Sequence, residues 1–175
     1  MKNLADYIRS IPDFPKPGIL FRDITTLIED AEGFRRTIDE LALQAEKFGP
    51  VDKIAAPEAR GFIFGAPLAL RLGTGLVLIR KKGKLPGKTV SAEYALEYGT
   101  DEIFIHEDSV QPGERVLVID DLLATGGTID GCCRLLEGQG AKIAAVGFVI
   151  ELIDLGGREK LSGRNVFSLV PFPGH

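Results

Sequence analysis

The stretch V-L-V-I-D-D-L-L-A-T-G-G-T, residues 116–128, decides how this chain is read. Its first four residues have the length and β-branched content of a strand buried on both faces. Asp120 and Asp121 follow directly, and then Ala124, Thr125, Gly126, Gly127 and Thr128 lead into a helical pattern. In an open parallel sheet, ligands collect outside the carboxyl ends of the strands, which is where this reading sets the acid pair. Bare backbone N–H groups at a helix start, joined by the hydroxyls of Thr125 and Thr128, suit an anion, and a phosphate above all. The helix dipole adds only ~0.3–1 kcal/mol. Hydrogen bonds must therefore supply most of the affinity, and small side chains are needed to let the anion approach. The plain alternative is a glycine turn, Thr128 as an ordinary N-cap and two solvated aspartates. A Walker loop is excluded because no G-x-x-x-x-G-K-[ST] occurs, and a dinucleotide fingerprint because no strand is followed by G-x-G-x-x-G. What remains is a phosphate cradle with two carboxylates just upstream. They are placed to accept hydrogen bonds from a sugar diol or to hold a Mg²⁺-bound water, a combination that describes a ribose phosphate.

Outward from this stretch, the chain repeats a strand–helix–strand plan. Residues 116–119, 128–136 and 143–150 form one such unit; residues 53–56, 62–72 and 76–79 form an earlier one, with P-E-A-R-G as the turn after its first strand. Strand, helix, strand implies parallel pairing. The clearest amphipathic helix runs from Phe34 through Ile38, Leu41 and Ala45 to Phe48, and Gly49-Pro50 ends it. Near the start, Leu4, Ile8 and Ile11 predict a short helix, and Pro12, Pro15 and Pro17 a stiff extended arm after it. Val90, Ala92, Tyr94, Leu96 and Tyr98 alternate with Ser91, Glu93, Ala95 and Glu97, and a turn at residues 99–101 leads to I-F-I. This predicts a hairpin projecting beside the parallel sheet. The expected architecture is α/β: one domain over residues 1–175, with a mostly parallel twisted sheet flanked by helices, a flexible hairpin flap and an N-terminal hood segment.

Composition bounds the function. At 175 residues and 45% hydrophobic content the chain is long enough for one core. A net charge of -4 and a pI near 5.3 lack the electrostatic footprint of a protein that grips nucleic acid. No apolar run approaches a membrane span and M-K-N-L-A-D-Y-I-R-S is not a secretory signal, so a soluble, cytoplasmic protein without nucleic-acid or membrane partners is expected. Cys132 and Cys133 are sequence neighbours and match no metal spacing, and buried reduced thiols are expected. Only His106 and His175 are present, which argues against a His-rich metal site.

The stretch at residues 116–128 resembles the phosphoribosyl pyrophosphate motif of the type I phosphoribosyltransferases. F-P-K-P-G-I-L-F-R-D-I-T (residues 14–25), A-R-G-F-I-F-G (59–65), R-K-K-G-K-L-P-G (80–87), L-E-Y-G (96–99) and the C-terminal S-L-V-P-F-P-G-H are similar, in order and spacing, to the adenine-using branch of that family. The resemblance implies that adenine and phosphoribosyl pyrophosphate are converted to AMP and pyrophosphate by a homodimer. It implies Mg²⁺ held mainly through the substrate, with no protein ligands of its own. Asp120, Asp121, Ala124, Thr125, Gly126, Gly127 and Thr128 would then bind the phosphoribosyl group, and Glu58, Ala59, Arg60, Arg80, Lys81 and Lys84 the pyrophosphate. Leu20, Phe21, Arg22 and Leu122 would form the adenine pocket, read largely through backbone groups with Leu122 stacked below. Glu97 would be the catalytic carboxylate near N7 of the base. Glu58-Ala59-Arg60 departs from the Asp-Ser-Arg of some relatives, so residue 59 offers only its backbone.

These residue types suit the chemistry. Loss of pyrophosphate leaves positive charge on the ribose and negative charge on the departing group, so carboxylates belong near the sugar and cations at the other end. A basic run is usually a solvated loop, but here it follows a parallel strand in an acidic protein. Residues 81–98 together would form a flap that excludes water during catalysis. A phosphoacceptor receiver domain also has a strand ending in Asp-Asp, but on the first strand of its domain. A regulator that binds phosphoribosyl pyrophosphate without catalysis would need a DNA-binding appendage, and none is visible. Adenine and hypoxanthine are not distinguished by the residues themselves; that choice rests on the resemblance.

Overall fold

In a computed structural model the described residues are 2–96 and 98–174. The chain opens with one 3-10 turn, Leu4–Tyr7, held by a capping box between Asn3 and Asp6. An antiparallel pair follows, β1 (Arg9–Pro12) and β2 (Leu20–Asp23), with Ile11 opposite Phe21. The expected first helix is thus a single turn. Leu4 and Ile8 are buried as its apolar spacing requires, but Ile11 belongs to a strand that pairs with the returning arm.

After α1 (Thr25–Ile28) comes α2 (Ala31–Glu46), which starts three residues before its apolar pattern because Asp30 caps it by accepting the Gly33 N–H at 2.8 Å. Next come β3 (Lys53–Pro57), α3 (Arg60–Leu72) and β4 (Gly75–Lys81), then β5 (Thr89–Ala95) and β6 (Thr100–His106). The chain ends with β7 (Arg115–Leu123), α4 (Gly127–Gly138), β8 (Lys142–Leu152), a 3-10 turn at Ile153–Leu155, α5 (Gly157–Lys160) and β9 (Val166–Phe172).

Among the described residues, seven strands form one sheet in the order β5-β6-β4-β3-β7-β8-β9. Pairing is parallel from β4 through β9 and antiparallel at β4–β6 and β6–β5. The mostly parallel sheet is as expected, but two expectations change. The hairpin does not project beside the sheet: Arg80 pairs with Phe104 and Lys81 with Ile103, so it extends the sheet from the end of β4. β9 has no strand signature in the sequence because Pro171 interrupts its apolar run; Pro is tolerated there because β9 is an edge strand.

Helices cover both faces. On one, α2 and α3 place Leu41, Phe64 and Leu68 against Ile54, Leu117 and Ile119. On the other, α4 sets Ile129, Cys132 and Leu136 against Val116, Val118 and Phe148. Residues 116–119 are therefore each at most 1% exposed, the two-sided burial implied by a strand without alternation. Cys132 and Cys133 are buried free thiols, and burial pushes the Cys133 thiol up to about 12. Among the described residues, no helix is long and apolar enough to cross a membrane.

Phe64 is fully buried and meets the Phe34 ring edge-on at 6.0 Å. Phe64→Ala should lower the unfolding free energy by about 3–5 kcal/mol, measured by urea denaturation.

Candidate active site

β7 and β3 are neighbours in the sheet, and α3 starts three residues after β3 ends. This brings Arg60, the first residue of α3, to the carboxyl end of β7. The strand does not stop at residue 119. Its ladder with β8 continues through Asp120 opposite Phe148, Leu122 opposite Ile150 and Leu123 opposite Glu151, so the aspartates lie inside the strand. Asp121 is 5% exposed, and the Arg60 Nε lies 2.7 Å from its Oδ2. The Oδ1 of Asp120 accepts the Asp121 N–H at 2.8 Å. Burial first, and then the adjacent Asp121 charge, push the Asp120 carboxyl well above the ordinary carboxylate range; the Asp121 N–H opposes them.

Beyond β7 the chain turns tightly into α4. Gly126, with φ +83°, is the N-cap residue, and no side chain caps the helix, which rules out Thr128 as an ordinary cap. A Cβ at Gly126 would stand 2.9 Å from the Gly157 carbonyl, and one at Gly127 would stand 3.1 Å from the Ala95 carbonyl. The turn is thus wedged between α5 and the end of β5, where Gly126 meets both a positive φ and a backbone carbonyl that a side chain could not clear, and Gly127 has little room to spare. The Asp130 N–H bonds back to the Gly126 carbonyl at 2.9 Å, leaving the N–H groups of residues 127–129 ahead of the helical ladder. They face the same end of the sheet as the two aspartates.

Three of the four candidate cations are already paired. Besides Arg60 with Asp121, the Arg80 Nε lies 3.1 Å from Glu58 Oε1 and the Lys81 Nζ lies 3.2 Å from Asp101 Oδ2. The Glu58 Oε1 also accepts the Lys81 N–H at 2.6 Å. Burial alone would raise the Glu58 carboxyl, but the Lys81 N–H, the Arg80 guanidinium and the Lys84 charge outweigh it and hold it below the usual range. The peptide between Glu58 and Ala59 is cis.

A cavity of about 460 Å³ joins these parts. Its walls include Glu58, Ala59, Arg60, Lys81, Asp120, Asp121, Leu122, Ala124, Thr125, Gly126, Gly127 and Thr128. Tyr94, Leu123 and Ile129 line it as well. Arg80 and Lys84 do not line it, and Arg80 stands over the Phe62 ring at 5.9 Å. Leu20, Phe21 and Arg22 are also outside its walls. The Arg22 side chain turns to the C-terminal strand, 4.3 Å over the Phe172 ring, and donates to the Ser10 hydroxyl and the Pro173 carbonyl. Glu97, the expected catalytic residue, lies outside the described residues. Tyr98 is 87% exposed, so in this arrangement it does not close over the cavity.

Sequence reasoning missed two polar groups, Tyr94 and Asp101. The Tyr94 hydroxyl donates to Asp101 Oδ2 at 3.0 Å, and Asp101 holds Lys81. Tyr94 was visible as an apolar position of the alternating strand, whereas Asp101 reads as a turn residue until the hairpin register sets it opposite Tyr94. Among the described residues, no three His, Cys, Asp or Glu side chains converge as a metal site.

The chain matches the phosphoribosyl transferase domain family over residues 25–167. It is 59% identical to the adenine phosphoribosyltransferase of Neorhizobium galegae, covering 98% of this chain and 96% of that one. The crystal structure of the Thermoanaerobacter pseudethanolicus adenine phosphoribosyltransferase has a TM-score of 0.92 and 54% identity, covering 97% of this chain and 98% of that one. The Saccharomyces cerevisiae enzyme, solved with adenine and an imino-altritol bisphosphate, has a TM-score of 0.91 and 40% identity, covering 95% and 96%. The chain therefore belongs to the phosphoribosyl transferase domain family, and within it to the adenine phosphoribosyltransferases.

Proposed function

We propose that this chain, acting as one phosphoribosyltransferase domain, transfers the 5-phosphoribosyl group of phosphoribosyl pyrophosphate to adenine, releasing AMP and pyrophosphate in purine salvage. The observation that carries the proposal is a single cavity that gathers a carboxylate pair, a glycine-bounded helix start and two cations. The 5′-phosphate seats on the N–H groups of residues 125–128, helped by the Thr125 and Thr128 hydroxyls. Asp120 and Asp121 accept hydrogen bonds from the ribose hydroxyls and stabilise the positive charge that develops as the bond to pyrophosphate lengthens. Arg60 and Lys81, with Arg80 and Lys84 beside them, neutralise the departing group. Each such oriented contact contributes about 2–4 kcal/mol in the transition state.

Leu122 supports the base from below, and the backbone of residues 20–22 reads its edge from the hood. β2 belongs to a two-stranded sheet, so one of its edges has N–H and C=O groups without a strand partner, which suits the donor and acceptor on adenine. Glu97 manages proton or charge at N7 as the new glycosidic bond forms. Residues 81–98 close over the reactants and exclude water, which would otherwise capture the ribosyl cation. Magnesium fits this donor set: Mg²⁺ keeps several waters and takes substrate oxygens, so it would be held mainly through the substrate, with Asp120 and Asp121 accepting hydrogen bonds from its bound waters. When bound it supplies charge neutralisation on the pyrophosphate. A cytoplasmic homodimer is the expected form.

Incubation with Mg²⁺, phosphoribosyl pyrophosphate and each purine separately tests the reading: AMP from adenine is expected, and absence of any nucleotide would refute it. Glu97→Gln should slow turnover by at least about 100-fold with little change in phosphoribosyl pyrophosphate binding. Equal losses in both would indicate a structural role. Because the Asp120 carboxyl is raised in the folded state, the native protein binds a proton that the unfolded chain gives up. Ligand-free stability should then fall as pH rises above about 4, the ordinary carboxylate value. Asp120→Asn should therefore melt higher than the native protein at pH 7, with the gap narrowing toward pH 4, and should raise the KM for phosphoribosyl pyrophosphate about tenfold, close to 1.4 kcal/mol. Thermal melts across pH and steady-state kinetics check the two halves.

A further inference from the structure

We propose that Asp101 is a resident counter-ion that occupies Lys81 while the pyrophosphate subsite is empty and releases it when pyrophosphate arrives, so that Asp101 sets how tightly pyrophosphate is held. The inference rests on the proposed function, in which Lys81 faces the leaving group. Lys81 lines the cavity, yet its ammonium is committed to Asp101 at 3.2 Å. An incoming anion must compete for it.

Of the three ion pairs around the cavity, this one is built to exchange. Asp121 has a side chain only 7% exposed, so removing Arg60 would strand a buried charge. Glu58 is held by both Arg80 and the Lys81 N–H. The Asp101 side chain is 31% exposed and that of Lys81 54%, in the range where an ion pair contributes little and water can replace a partner. Lys81 is also a point charge on a flexible stem, without the two-pronged geometry of arginine.

Asp101 stays in place when Lys81 leaves. Its Oδ1 accepts the Glu102 N–H at 2.8 Å and its Oδ2 the Tyr94 hydroxyl at 3.0 Å. Tyr94 is 4% exposed and packs on α4, where a Cβ at Gly131 would stand 3.0 Å from its own. The carboxylate is thus a fixed acceptor to which Lys81 returns after pyrophosphate departs.

Calorimetric titration of magnesium pyrophosphate into the ligand-free protein at fixed ionic strength tests this. Asp101→Asn, whose amide oxygen can still accept the Tyr94 hydroxyl, should bind about three- to fivefold tighter, the range open to a half-exposed ion pair. Asp101→Ala carries the same expectation should the first variant not fold. Glu102→Gln removes the same charge one residue away, where the carboxylate lies 4.0 Å from Lys82 and accepts the Ser91 hydroxyl, and should leave the affinity within about twofold. Lys81→Met should weaken binding, and adding Asp101→Asn to it should bring no gain. No tightening in either Asp101 variant, equal tightening in Glu102→Gln, or the same gain without Lys81 would each overturn the inference. If Lys81→Met alone leaves the affinity unchanged, the assignment of Lys81 to the leaving group fails, and the inference with it.

Discussion

A carboxylate at the carboxyl end of an inner strand must be compensated, and the rest of this site follows from that requirement. Asp121 sits where β7 emerges between two helix-covered faces, almost without water. An isolated charge in such a place costs several kcal/mol. Arg60 supplies the compensation because β3 lies beside β7 and α3 starts just after β3. The parallel crossover from β3 through α3 to β4 thus also delivers the guanidinium. Asp120, one residue earlier, has the Asp121 N–H and the more distant Arg60 charge against its own burial and its neighbour's charge, and these do not outweigh them, so its ionised form is disfavoured.

The same logic explains why an acidic protein can take a highly charged anion without a strongly basic surface. Arg60, Arg80 and Lys81 each have a carboxylate partner, so the cavity attracts anions less than a count of its cations implies. In the proposed exchange of partners, the net gain on binding is the difference between two sets of ion pairs. That suits a site that must release its product. The proposed phosphate end works differently: the N–H groups of residues 127–129 lead a helix ahead of its hydrogen-bonded ladder, so they point outward to donate. One end of the proposed substrate meets a fixed cradle and the other a set of charges already in use.

Much of this was legible in residues 116–128. A V-L-V-I run buried on both faces, two acids and a small-residue turn into a helix all appear where the sequence places them, and most of the expected phosphoribosyl and pyrophosphate residues line one cavity. The misses have physical causes. Aspartate is a poor strand former, so the strand seemed to end at residue 119, yet a longer parallel neighbour keeps the ladder going to Leu123. Asp101 gains its meaning from hairpin register, and Arg22 from Pro173, 151 residues away, neither of which local pattern encodes. The role of Glu97 was implied by resemblance alone.

Arg22 shows how the two ends of the chain are made to depend on each other. Its guanidinium stacks on Phe172 at the end of β9 and reaches back to Ser10 in β1, so the hood is anchored to the last edge strand of the sheet. Asp154 adds to the same clasp by accepting the Gly174 N–H at 3.1 Å. A base held by the hood is then positioned relative to β7 through β9 and β8, a continuous hydrogen-bonded path across the sheet. With the Arg22 guanidinium turned toward Phe172 and Ser10, the proposed recognition of adenine is assigned to main-chain groups. Every residue type presents nearly the same main-chain donors and acceptors, so a sequence can preserve base choice while changing the side chains around it, which is why purine preference leaves so faint a trace in the residues themselves.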